Sequence, residues 1–301
     1  MSEYVIGILA AFAEPVFHAW ANILDNYLSN KLFDRLTPLI FFSSVIGLIV
    51  LPFIWFLDPP HAVSVMNAAI LIVISLIEIL YLYPYFWSLR RADTSVVASL
   101  FSLGKIFVPL IAFFLVGERL TGLQYLGFFI ITAASVLLAL DVRKMKLNSA
   151  IVLMLLVSIV LAAQTVLLKY VYEHGVGWGT SIVWMTILQV VIAGVFMLTP
   201  QNIAEAKKSW SKMKSLGTLL VGIELLSTAG TLGSSYALYL IPVSVAQGIA
   251  GTQPIFALLY AILFVRLSPK FFKEYLGKKD IAKKVVLFVI TIVGAVLVAG
   301  A

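Results

Sequence analysis

The chain has 301 residues, 62% of them hydrophobic and 12% charged, with a mean hydropathy of +1.06. A water-soluble domain is roughly half apolar and about a quarter charged, so that class is excluded and a lipid bilayer is the solvent for most of the chain. With no cysteine, disulfides, thiolate metal sites and a cysteine nucleophile are excluded as well, and the net charge of +7 has to be read from where the cations fall.

A membrane-spanning helix takes about 20 apolar residues. Ten segments qualify, at 4–29, 36–57, 65–89, 94–116, 121–140, 148–173, 179–199, 215–240, 243–265 and 284–300. The first lacks a basic leader region and a small-residue cleavage site, so it reads as a retained membrane helix. Of the 21 lysines and arginines, 18 fall in the odd-numbered loops, and Arg119 stands alone in the even ones. Cation-rich loops stay in the cytoplasm. The expectation is a multi-pass protein of the cytoplasmic (inner) membrane with both termini outside. The basic balance is then a topology signal, and nucleic acid is not an expected partner. Two basic segments, AEAKKSWSKMK (204–214) and SPKFFKEYLGKKDIAKK (268–284), interleave aromatics with lysines. They read either as amphipathic helices on an anionic leaflet or as solvated loops.

Taken in chain order, the spans carry polar residues where lipid would reject them. The stretch FAEPVFHAW (12–20) opens a stripe of Glu14, His18, Asn22 and Asp25, whose spacing puts them on one helical face. Pro15, inside it, frees the carbonyl of Ala11. Glu78, Tyr81, Tyr85 and Ser88 share a face of the third span, Ser95, Ser99, Ser102 and Lys105 one of the fourth, and Glu224, Thr228, Thr231 and Ser235 one of the eighth. Pro84, Pro109 and Pro254 read as kinks. A central ionisable group costs roughly 3 kcal/mol or more, so it faces a cavity or a partner. Four striped helices predict a shared, water-accessible centre.

Roles follow from residue type. Glu78 and Lys105 read either as a structural ion pair or as substrate contacts. Glu14 is the leading proton or cation site, and His18, one turn away, can pass a proton on. Glu224 is a further candidate, and Asn22 and Gln247 are candidate polar contacts. Tyr81 and Tyr85 offer ring faces beside Glu78, and Trp20 and Trp87 are candidate cavity aromatics. Acids with aromatic faces suit an organic cation, whereas an unpaired Lys105 suits the carboxylate of an amino acid. Asp25 and Lys169 lie near span ends, where snorkelling is cheap, and stay outside the expected site. No HExxH or GxSxG motif is present, so an enzyme is not expected and no cofactor or metal is implied.

The chain also repeats itself. A shift of 149 residues brings Leu89 onto Leu238, Ser95 and Val96 onto Ser244 and Val245, and Ile106 and Phe107 onto Ile255 and Phe256. A shift of 159 brings FIIT (129–132) onto FVIT (288–291). Five spans per half is an odd number, so the halves, 1–141 and 142–301, insert with opposite orientation. Inverted repeats put a substrate site near the midplane and support alternating access.

The segment SVVASLFSLGKIFVPLIAFFLVGERLT (95–121) resembles the signature of EamA-type members of the drug/metabolite transporter superfamily, and SVAQGIAGTQPIFALLYAILFVRLS (244–268) resembles a degenerate copy. The resemblance implies an all-α membrane fold of ten helices in two inverted five-helix repeats. Helices 1–4 and 6–9 would surround a central cavity, with 5 and 10 outside. It departs from the pattern at Lys105, where the family usually has proline, and at the second copy, which lacks the glutamate of GERL. The expected function is a secondary active transporter of a small polar metabolite, a cationic or zwitterionic amine first, coupled to protons or Na+ through central glutamates. The expected partners are that solute, the coupling ion and membrane lipids, with the protein a monomer or homodimer. The alternatives are a lipid-handling or scaffold protein and, behind them, an intramembrane hydrolase.

Overall fold

The computed structural model describes residues 1–29, 32–90, 104–139, 149–267 and 278–300, and every regular element among them is helical. In chain order these are α1 (Glu3–Ala11), α2 (Ala13–Ser29), α3 (Leu36–Gly47), α4 (Leu51–Leu57), α5 (Val65–Leu80), α6 (Leu82–Leu89), α7 (Val108–Leu115) and α8 (Gly122–Ala139). They continue with α9 (Ser149–Glu173), α10 (Trp178–Met197), α11 (Pro200–Lys208), α12 (Trp210–Leu240), α13 (Val243–Ala250), α14 (Gln253–Leu267) and α15 (Lys278–Gly300). The serine stripe at 95–102 and the loop cations Lys31, Arg91, Arg143, Lys144, Lys146, Lys270 and Lys273 lie outside the described residues.

Proline decides which spans are continuous. Interruptions fall two to four residues ahead of a proline in five places. They are Phe12 before Pro15, the 3-10 turn Leu48–Val50 before Pro52, Tyr81 before Pro84, the 3-10 turn Lys105–Phe107 before Pro109, and Gly251–Thr252 before Pro254. The ring crowds the carbonyl four residues back and cannot donate to it, so the ladder opens there. α9, α10 and α12 have no internal proline and run unbroken for 25, 20 and 31 residues.

Among the described residues, six helical stretches are long and apolar enough to cross a membrane: Glu3–Asp25, Leu36–Leu57, Val65–Leu89, Val152–Glu173, Trp178–Met197 and Trp210–Leu240. Three shorter apolar helices, Lys105–Leu115, Gly122–Ala134 and Val289–Val298, fall within other expected spans, and the span expected at 243–265 is divided into α13 and α14. Large apolar side chains such as Phe56, Phe114 and Val195 project outward, a surface that suits lipid and not water.

Among the described residues, two large apolar cores lie separated along the helices, beside a small third one of Ile54, Ile182 and Val183. One large core contains Ala11, Leu71, Ile74, Val166 and Leu238, and the other Ala21, Tyr85, Met154 and Ile223. On four helices the nearest members of the two sets are 10 (Ala11 and Ala21), 5 (Ile74 and Ile79), 8 (Met154 and Ala162) and 14 (Ile223 and Ala237) residues apart, roughly 8–21 Å at 1.5 Å per residue. Between them fall the polar stretches that begin at Glu14, Glu78, Ser158 and Ser227. Apolar packing at both ends thus holds a polar middle in register.

Two close approaches need glycine. At Gly230 on α12 a Cβ would meet the His18 ring at 2.7 Å, so the missing side chain lets α12 lie against α2. Gly127 on α8 and Gly294 on α15 each face the other's backbone, where an added Cβ would meet the opposite carbonyl at 2.7 and 2.9 Å.

Candidate functional site

The polar middle encloses a cavity of about 240 Å³. Drug-sized sites run to roughly 300–1,000 Å³, so this one suits a small metabolite. Its described lining comes from α2, α3, α5, α6, Lys105, α9, α10, α12, Gln247 of α13 and Gln253 of α14, and not from α8 or α15.

At one end Glu14 is held from three directions. The interruption at Phe12 restarts the helix at Ala13, so Glu14 falls in the first turn of α2, where a carboxylate complements the exposed backbone N–H groups. Lys105 Nζ donates to Glu14 Oε1 at 2.8 Å, and both side chains are nearly buried, at 12% and 14% exposure. Ser234 donates to Oε2, as does Gln247 Nε2 at 3.5 Å. One turn on, His18 Nε2 lies 3.0 Å from the Ser227 carbonyl, which can only accept, so that nitrogen carries the proton. Thr231 Oγ1 is 3.3 Å from the same nitrogen.

At the other end the Tyr85 hydroxyl lies 2.9 Å from both Asn22 Oδ1 and Asp25 Oδ2. One phenolic proton satisfies one acceptor at a time. A proton on Asp25 would complete the chain, with Asp25 donating to Tyr85 and Tyr85 to Asn22. Glu224 and Tyr81 line the cavity as well, and Ile223, beside Glu224, packs in the same apolar core as Tyr85. Between the ends Gln164 Nε2 donates to Glu78 Oε1 at 2.9 Å. Among the described residues, Asp25, Glu78 and Glu224 form no ion pair, so four carboxyls share one lysine.

The geometry therefore gathers Glu14, His18, Asn22, Glu78, Tyr81, Tyr85, Lys105, Glu224 and Gln247 around one space. It resolves the alternative left open for Lys105, whose partner is Glu14 and not Glu78. Trp20 and Trp87 are corrections, because neither lines the cavity and Trp20 packs on Tyr260 at 5.2 Å between ring centroids. Each stands two residues from a lining residue, His18 or Tyr85, and two residues turn a helix by about 200°. Asp25 is a correction in the other direction: it lines the cavity. Its place on the Glu14 stripe was the signal, overruled by its nearness to the span's end. Lys169 does not snorkel either, since its Nζ donates to the carbonyls of Leu238 and Ile241 at 3.0 and 3.1 Å. Sequence reasoning also missed Ser43, Ser158, Gln164, Thr165, Ser234 and Gln253, neutral residues that cost little in an apolar helix and so stand out weakly.

Beyond the cavity, carboxylates tie distant segments together. Glu118, of the GERL stretch, accepts from the backbone N–H groups of Val243 and Ser244 at 2.7 and 3.0 Å and caps α13. Asp58 accepts from Gly179 N at 2.7 Å and caps α10. Outside the spans, Lys208 Nζ lies 2.8 Å from Asp34 Oδ2. The hydrogen bond and charge of Lys208 hold the Asp34 carboxyl below its ordinary value, and Asp34 raises Lys208 in return.

Comparison with known proteins adds a family. Residues 5–140 match the model described as the EamA-like transporter family. A solved structure, described only as the crystal structure of a protein, superposes over 99% of this chain and 98% of that one with a TM-score of 0.66 at 16% identity. A likeness at that identity carries the fold alone. No curated protein matches the chain.

Proposed function

The chain belongs, over residues 5–140, to the EamA-like transporter family, and on that premise we propose that it is a secondary active transporter. It moves a small cationic or zwitterionic amine across the cytoplasmic membrane by alternating access, coupled to protons through central carboxyls.

The observation that carries this reading is the charge imbalance of the cavity. Asp25, Glu78 and Glu224 line it with no ion-pair partner among the described residues, while Lys105 is already engaged by Glu14. A buried carboxylate without a counter-charge is strongly disfavoured. Each such group therefore holds either a proton or a cation, and the exchange of one for the other is the coupling step. The Tyr85 hydroxyl, poised between Asn22 and Asp25, supports a protonated Asp25 in the empty state.

Alternating access needs two bodies that rock on each other. The contact scheme supports ten spans in inverted halves, 1–141 and 142–301, because it maps onto itself when the halves are exchanged. The first span, α1 and α2, packs on α12, and reciprocally α9 packs on α5 and α6, while α3 meets α10 and α8 meets α15. A site between such halves is reached from either side in turn.

Uptake of a labelled panel of primary amines and amino acids into proteoliposomes, with and without an imposed pH gradient, tests the proposal. Gradient-driven accumulation of an amine that E78Q or E224Q reduces to passive leak supports it. Uptake that ignores both the gradient and those substitutions overturns the coupling. Accumulation confined to organic anions overturns the substrate class.

A further inference from the structure

The cavity acids that form no ion pair among the described residues stand in two places, and that division bears on the shape of the solute. Asp25 and Glu224 both line the cavity, and their chain neighbours Leu24 and Ile223 pack in the same apolar core. They share one end with Tyr85 and Asn22. Glu78 stands apart, seven residues before Tyr85 on the α5–α6 helix, which is roughly 10 Å along the axis. Tyr81, one turn after Glu78 and one turn before Tyr85, lines the cavity between them. Ser43, at 7% exposure, lines the cavity and lies against Glu224, so it adds a hydroxyl to the Asp25–Glu224 end.

We propose, resting on the transporter reading above, that this site takes a linear dicationic amine. One ammonium sits between Asp25 and Glu224 with Ser43 as a neutral acceptor, the other sits at Glu78, and the methylene chain runs along the Tyr81 face. Three carboxyls need compensation, and a dication supplies two charges while one proton shared by Asp25 and Glu224 supplies the third. A monoamine leaves the Glu78 end to a proton. A zwitterion adds a carboxylate to a space already short of cations. The empty site holds protons at both ends, so entry of the dication releases two protons and leaves the charge of the cavity unchanged.

The proton linkage depends on every group that faces these acids. Glu78 faces Glu14 and Tyr81, and Glu14 is held by Lys105 with His18 one turn away. Asp25 faces Glu224, Tyr85 and Tyr81. Glu14 keeps Lys105 throughout, so the released protons come from the other three acids.

Calorimetric titration of the full chain in lipid nanodiscs with putrescine, butylamine and 4-aminobutyrate, at about pH 6 and about pH 8, tests this. Putrescine is expected to bind at least about tenfold tighter than either other probe, more tightly at the higher pH, with about two protons released per ligand. E78Q should bring putrescine down to the butylamine level. E78D keeps the charge and draws the carboxyl back by about one bond, ~1.5 Å, so it should shift preference from putrescine to the longer cadaverine. Equal binding of putrescine and butylamine, or an unshifted preference in E78D, overturns the dication while leaving an amine transporter standing. Tighter binding of 4-aminobutyrate overturns it in favour of zwitterions, and failure of all three probes to bind the folded protein overturns the amine reading itself.

Discussion

Lys105 Nζ reaches Glu14 Oε1 at 2.8 Å across 91 residues of sequence, and this pair leaves three cavity acids without an ion-pair partner among the described residues. Both partners sit at proline-induced breaks, Glu14 in the first turn after Phe12 and Lys105 in the 3-10 turn before Pro109. The break at Phe12 places Glu14 in the first turn of α2, the helix end that favours a carboxylate.

Removing one member of a buried pair leaves the other uncompensated, at a cost of about 3–5 kcal/mol. E14Q is therefore expected to lower thermal stability in detergent sharply, while E14Q combined with K105M recovers most of the loss. A double variant as unstable as E14Q alone would show that the pair is not the cause.

Gly230 and Gly222 lie on the same helix and predict opposite outcomes. A Cβ at Gly230 meets the His18 ring, whereas at Gly222 nothing lies within 4 Å. G230A should displace His18 from the Ser227 carbonyl and cost about 1–3 kcal/mol by overpacking. G222A should be neutral or stabilising by up to ~1 kcal/mol, as expected for glycine in a helix interior. Melting curves of the two variants side by side decide the matter, and equal effects would contradict the close approach of α12 to α2.

Glu118 and Lys169 grip one turn from its two sides. Glu118 takes the free N–H groups at the start of α13, and Lys169 takes the carbonyls of Leu238 and Ile241 at the end of α12. Loss of a helix cap costs about 1–2 kcal/mol, so E118A should destabilise by that amount and E118Q by less. Hydrogen exchange at Val243 and Ser244 reports it locally, and unchanged protection in E118A would remove the cap from the account.

Asp34 and Lys208 give the pH prediction outside the spans. The carboxyl is held below its ordinary value by Lys208, so the pair contributes above that ordinary value and is lost as pH falls through the lowered one. Carbon-detected NMR should find Asp34 titrating below about 3.9, and K208Q should return it to the ordinary range. Both groups are exposed, so little change in melting is expected. An Asp34 unaffected by K208Q would mean that the pair does not persist in solution.

The sequence made the charged centre legible because ionisable residues are conspicuous in apolar helices. Glu14, Glu78, Lys105 and Glu224 stood out by type and depth, and the family by GERLT and the segment before it. Pairing was not legible, since Glu78 and Lys105 sit at similar depth on neighbouring segments while the actual partner, Glu14, comes from the first span. Depth itself misled at Asp25 and Lys169. An extended side chain near a span's end can snorkel, but here the tertiary partners, Tyr85 and two backbone carbonyls, point inward. Trp20 and Trp87 show the limit of proximity in sequence, for two residues reverse a helical face. The break at Leu48–Val50 was legible in Pro52 yet overshadowed by the prolines beside charges.

Proton movement on addition of amine tests the central claim most directly. Wild-type proteoliposomes loaded with a pH-sensitive dye should show proton flux that begins when a transported amine is added and runs opposite to it. The triple variant D25N/E78Q/E224Q, reconstituted to the same density, should show none. An amine that crosses with the wild type without moving protons, or proton flux that survives the triple substitution, would contradict carboxyl-coupled exchange.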